Sequence, residues 1–168
     1  YEGHLTSILS EVVAENMKAY LSKYRTVNDY VEIRSGRVVN LAFDVDLFVG
    51  ADYDKGEVSK RVIELVKDYM DIRRHQMGED IFVGDLEKDI SKLDGVVNLI
   101  ELRCYNKVGS GYSSTEITQP IMNDSKYGAD TKRIDLMQTD KVLFSDFGNM
   151  FEIRYPDSGD IRVNVKVR

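Results

Sequence analysis

Asp44-Val45-Asp46 places two carboxylates two positions apart, and this is where the 168-residue chain comes nearest to chemistry. In a strand, residues i and i+2 share a face, so the two side chains project together. Hard divalent cations take oxygen ligands, and such a pair could hold Mg²⁺ or Mn²⁺ in a palm-like phosphotransferase or nuclease. That chemistry also needs a third ligand and a cationic clamp for phosphate. The surrounding sequence offers neither a glycine-rich loop nor a Lys/Arg pair to serve as one. Alternation alone also accounts for both aspartates, as the solvent side of a strand whose other side is buried.

The remaining reactive residue types are sparse. His4 lies near the terminus, His75 falls in the last turn of a predicted helix, and Cys104 sits in an apolar strand-like run. Their spacing matches no zinc pattern. A Cys104–His75 nucleophilic pair is one reading; the other is an inert buried thiol in a reducing compartment, since a lone cysteine has no disulfide partner. Gly109-Ser110-Gly111 follows a strand but opens no periodic helix, so it reads as a turn and not as a phosphate loop. We expect no catalytic centre, no metal and no cofactor.

Lys and Arg number 23 against 29 Asp and Glu, a net charge of −6. A nucleic-acid binder needs a basic stripe to displace phosphate counterions, and Arg73-Arg74-His75 and Lys132-Arg133 are too short to make one. No apolar run approaches the ~20 residues of a bilayer span. Partners of nucleic acid or membrane type are therefore not expected. The chain begins at Tyr1 with no leader-like pattern and reads as a fragment of a longer protein.

The elements that would position these residues follow from periodicity. Leu5, Ile8, Leu9, Val12, Val13, Met17, Tyr20, Leu21 and Tyr24 step by threes and fours, which predicts an amphipathic helix over Leu5–Tyr24. Tyr30–Ile33 and Val38–Val49 flank Arg34-Ser35-Gly36-Arg37 and predict a hairpin, with strict period-two alternation in the second strand. Asp54 followed by Glu57 marks a helix start, and Gly78 follows its end. Asp85 is the expected N-cap of a short helix carrying Leu86, Ile90 and Leu93, stopped at Asp94-Gly95 ahead of a strand over Val96–Tyr105. Gly109–Arg133 shows neither period and predicts a long loop. Met150–Tyr155 and Ile161–Val167 alternate around Pro156-Asp157-Ser158-Gly159-Asp160, which predicts a second hairpin.

From Val39 to Val108 the chain runs strand, helix, Met-Gly-Glu-Asp-Ile-Phe-Val-Gly-Asp-Leu, short helix, Asp-Gly-Val-Val turn, strand. With Gly78, Ile81-Phe82-Val83, Gly84-Asp85-Leu86, Ile90 and Gly95-Val96 in this order, it resembles the C-terminal part of the baseplate J-like proteins of contractile-tailed phages. The leading helix with Val27-Asn28-Asp29-Tyr30 and the loop-rich tail are similar to the baseplate wedge proteins of T-even-like phages. The resemblance implies a virion structural subunit of the tail baseplate, assembled in the host cytoplasm. It further implies a subunit that forms homodimers, contacts other wedge proteins to join wedges into a ring, and rearranges on sheath contraction.

The expected fold is α+β: a mixed or antiparallel sheet with helices on one face, the N-terminal amphipathic helix on another side, and a C-terminal β-hairpin lobe. Two segments are expected, 1–108 with the leading helix and 109–168 as the tail. Candidate interface residues are Tyr112, Ile117, Ile121 and Met122 in the long loop, and Ile161, Val163 and Val165 in the last strand, where Arg162, Asn164, Lys166 and Arg168 would guard the edge against indiscriminate pairing.

Overall fold

The computed structural model describes residues 3–26, 29–122 and 128–168. In chain order these form α1 (Glu11–Leu21), β1 (Arg37–Val49), α2 (Lys55–Tyr69), β2 (Ile81–Phe82), α3 (Val83–Ser91), β3 (Val96–Lys107), β4 (Ile121–Met122), β5 (Thr131–Ile134), β6 (Val142–Leu143), β7 (Asn149–Glu152) and β8 (Ile161–Val167). The class is α+β with a mixed sheet, as the patterning requires. The order is β4-β5-β3-β1, with β7 and β8 both on the far edge of β1, and β2 and β6 form a separate small pair.

β1 is the centre of the molecule. Its alternation sends Val39, Leu41, Phe43, Val45, Leu47 and Val49 to one face, where they meet Val58, Val62 and Val66 of α2 and Val83, Leu86 and Ile90 of α3 in one buried cluster. Each such fully buried aliphatic side chain contributes about 1.5–3 kcal/mol relative to exposure. α2 begins where Asp54 accepts the Glu57 N–H at 2.8 Å, so the cap read from sequence is present. α3 begins earlier than expected, at Val83, which puts Asp85 inside the first turn, where a carboxylate favours the positive end of the helix dipole. Gly95 carries φ +92°, and a Cβ there would stand 2.8 Å from the Tyr53 ring, so both conformation and space demand glycine between α3 and β3.

Three expectations change. Tyr30–Ile33 forms no strand, because both edges of β1 are occupied, one by β3 and the other by β7 and β8. The tail makes no hairpin lobe: β7 pairs parallel to the first third of β1 (Val39↔Phe151) and β8 parallel to the rest (Val45↔Val163), so both run the same way along one edge. Pro156–Asp160 is therefore an excursion out of the sheet and back, a job for which Pro and Gly suit as well as for a reversal. Because β5, β7 and β8 pair directly with β3 and β1, Val108 marks no division of the sheet.

The third change concerns the N-terminus. The helix occupies only Glu11–Leu21, and the residues before it are an extended strap. The Leu5 N–H donates to Glu152 Oε1 at 2.7 Å, Arg154 Nη1 donates to the Leu5 carbonyl at 3.2 Å, and the Leu9 N–H donates to Ser35 Oγ at 3.2 Å. Those backbone bonds hold the strap extended and leave α1 lying on no face of the sheet; none of its residues is buried. Val27, Asn28 and residues 123–127 of the long loop lie outside the described residues.

Candidate functional site

The Asp44/Asp46 pair is met by an arginine. β1 and β3 are antiparallel in a register that sets Asp44 opposite Arg103, and Arg103 Nη2 donates to Asp46 Oδ2 at 2.8 Å and lies 3.8 Å from Asp44 Oδ2. On the other side, Asn164 of β8 donates to Asp46 Oδ1 at 2.6 Å. Arg103 Nη1 also donates to Glu101 at 2.6 Å, and Glu101 pairs onward with Arg133 of β5. The result is a polar ladder from Asn164 of β8 across β1 and β3 to β5, with charge alternating from Asp46 through Arg103 and Glu101 to Arg133.

Burial alone would lower the Arg103 pKa; the Asp46 and Glu101 carboxylates more than reverse that and raise it, so the cation is fixed. Asp44 is 3 % exposed, which corrects the expectation of a solvent-facing aspartate. Among the described residues, no group of three or more His, Cys, Asp or Glu is placed to hold a metal. A cation site would have to displace Arg103. Titration of Mg²⁺ or Mn²⁺ into the chain is accordingly expected to give only heats of dilution, unchanged in Asp44→Asn/Asp46→Asn. Binding that disappears in the double variant would restore the palm-like reading.

Beyond the ladder, this face closes with two polar assemblies. Asn40 and Asn106, both 0 % exposed, act as backbone surrogates: Asn40 Oδ1 accepts the Ser113 N–H at 2.7 Å and Asn106 Oδ1 accepts the Ile117 N–H at 3.0 Å, which ties the 109–120 loop to the sheet. Asn40 Nδ2 donates to Glu152 Oε2 at 3.0 Å, the same buried carboxylate that holds the strap. The second assembly is a triangle. Lys107 Nζ donates to Asp160 Oδ1 at 2.8 Å and to Tyr112 Oη at 2.7 Å, and Tyr112 Oη donates to Asp160 Oδ1 at 2.7 Å. Asp160 also accepts the Tyr155 N–H at 2.8 Å. The hollow between the ladder and this triangle, lined by Asp44, Lys107, Thr131 and Arg162, measures about 80 Å³, well under the few hundred Å³ of a small-molecule pocket.

The other reactive candidates stay apart. Burial pushes the Cys104 thiol pKa up, the opposite of what a nucleophile needs. His75 Nε2 is held by the Tyr69 carbonyl at 2.7 Å, and among the described residues no hydrogen bond joins it to Cys104. His4 is not frayed; its ring lies against Glu152, Nδ1 to Oε1 3.5 Å.

The chain matches no protein-family model and no curated protein sequence.

Of the candidate interface residues, most serve the chain's own packing. Tyr112 belongs to the triangle and meets Tyr155 edge-on at 5.3 Å; Ile117, Val163 and Val165 pack against the core, and Ile161 is 5 % exposed. Alternation along β8 puts Val163 and Val165 on the α2 side, where they pack partly buried against the core. Ile121 and Met122 remain exposed, at 47 % and 42 %. More exposed apolar surface lies on α1 and on two loops. The α1 stripe is open along its length, and Phe147, Phe144 and Met77 stand on the linked 76–80 and 144–149 loops, where the Gly78 N–H donates to the Asn149 carbonyl at 2.8 Å. The α1 stripe was legible as apolar, and only the position of the strap shows that the sheet does not cover it.

Proposed function

We propose that the chain is a structural subunit of a contractile phage-tail baseplate wedge, working through protein–protein contacts and without a catalytic centre. The observation that carries this reading is the amount of large apolar surface held open on defined elements: Val12, Tyr20 and Tyr24 at 59–71 % exposure on the α1 arm, and Phe147 at 98 % on its loop. Contiguous exposed apolar surface marks interaction sites in soluble proteins. The carboxylates that a catalytic reading would use are held by Arg103 and Asn164 instead. The strand–helix–helix–strand order with Gly78, Ile81-Phe82-Val83 and Gly95-Val96 adds the resemblance to the baseplate J-like proteins. In this role the chain associates with itself and with other wedge proteins, takes no nucleic acid, membrane or cofactor, and resides in the virion tail.

Mass spectrometry of purified virions and of their isolated tails tests it. Peptides of this chain are expected in both, enriched in the tail fraction in fixed ratio to the other tail proteins. Recovery from the infected-cell lysate alone, with none in washed particles, overturns the reading.

A further inference from the structure

We propose that α1 is the self-association element, pairing antiparallel with α1 of a second copy about a two-fold axis near Asn16. The inference rests on the reading of the chain as an assembly subunit and names one surface for it. It begins from the arm itself: the strap is fixed to Glu152 and Arg154, Leu9 is bonded to Ser35 at the root of the return limb, and between these points no residue of α1 is buried.

Val13, Met17, Tyr20, Leu21 and Tyr24 fall within one stripe of the helix and its last turn, and all five are exposed. Taking their exposed fractions, the five offer roughly 550 Å² per copy, so a pair buries at most roughly 1,100 Å², the size of a weak, concentration-dependent interface. A helix presenting one apolar stripe can cover it with an identical stripe, because a two-fold interface uses the same patch on both partners.

Charge selects the second copy and its direction. Acidic Glu11 and Glu15 occupy the N-terminal half, and basic Lys18 and Lys23 the C-terminal half and the turn after it. Glu11 and Lys18 are two turns apart and share one flank of the stripe. Parallel pairing stacks like on like. Antiparallel pairing sets the acidic half of each copy against the basic half of the other, and opposes the helix dipoles favourably as well. The apolar pattern has the same symmetry, with Val13 and Tyr20 at similar distances either side of the midpoint, so each meets the other across the axis.

Sedimentation velocity of the whole chain over a wide concentration range, joined to cysteine cross-linking, tests this. The wild type is expected to shift from monomer to dimer, and Met17→Asp to remain monomeric at ten times the wild-type midpoint with an unchanged unfolding transition, since Met17 is exposed. With a short bismaleimide, Met17→Cys is expected to cross-link to itself, whereas Tyr24→Cys is not, because antiparallel partners hold their Tyr24 residues far apart; Cys104 is buried and does not compete. A Tyr24→Cys cross-link of equal yield overturns the antiparallel arrangement. A dimer that survives Met17→Asp overturns the α1 assignment while leaving the assembly-subunit reading in place, as does a strict monomer, which would give the face to a different protein. Absence of the chain from purified tails overturns that reading without touching the α1 result.

Discussion

Arg103→Met is expected to destabilise the chain by about 3 kcal/mol in urea unfolding at neutral pH, the lower end of what removing one partner from a buried ion pair costs. Arg103 is 11 % exposed in its side chain and faces Asp44 at 4 %, Asp46 at 19 % and Glu101 at 41 %. Without it, two aspartates on the central strand lose the cation between them; Asn164 still donates to Asp46, and Glu101 keeps Arg133, which holds the loss below the upper range. Arg103→Lys should recover part of the stability, because a point charge cannot serve Asp46 and Glu101 with separate nitrogens as the guanidinium does. The variant also carries a pH signature. Losing Arg103 makes the facing carboxylates bind a proton more readily than they do in the wild type, so the deficit is full near neutral pH and shrinks as pH falls toward the ordinary aspartate value of about 3.9. A deficit independent of pH, or one below about 1 kcal/mol, would mean that the ladder behaves as an ordinary surface ion pair.

The ladder illustrates what was legible and what was not. The alternation of β1, the Asp54 cap, the valine stripe of α2 and the Gly95 stop are local signals, and each is where its periodicity or cap chemistry puts it. Strand partners are not local. Alternation in Met150–Tyr155 and Ile161–Val167 says that each pleats, but not that both lie parallel on β1; only the length of β1 and the occupation of its other edge by β3 decide that. The same gap hid the meaning of Asp44 and Asp46, since Arg103 is 57 positions beyond Asp46 and the match depends on register. Sequence also overextended α1, because the apolar steps at Leu5, Ile8 and Leu9 are helical in spacing while the Leu5 backbone is claimed by Glu152 across the fold. Of the surface candidates, Val163 and Val165 turn toward α2, which the sequence could not show because an alternating strand has two faces and does not say which one a helix covers.

Lys107→Met is expected to cost more than any other single change on this face, about 3–5 kcal/mol, because it strands a carboxylate that water barely reaches. Asp160 is 1 % exposed in its side chain and forms an ion pair with Lys107, with Tyr112 Oη and the Tyr155 N–H supplying hydrogen bonds. Losing the lysine also frees the Tyr112 ring, over which Nζ lies at 4.5 Å, and so loosens the 109–120 loop at its root. Burial by itself would lower the Lys107 pKa; Asp160 and Tyr112 outweigh it and hold it above its ordinary value. For a cation raised on folding, the stabilisation is complete below the unfolded value of about 10.4 and is lost as pH rises through the folded one. Tyr112 acts in the same sense: burial and then Asp160 raise its phenol, so its ionisation at high pH also opposes the fold. The wild type should therefore lose stability above about pH 10.5 while Lys107→Met, lacking the lysine contribution, declines less, and the gap between them narrows there. Lys107→Met/Asp160→Asn should recover much of the loss, since removing both charges leaves neither stranded. Recovery fixes the cause as the isolated carboxylate; a double variant as unstable as the single would place it in the lost packing of the lysine stem against Tyr112 instead.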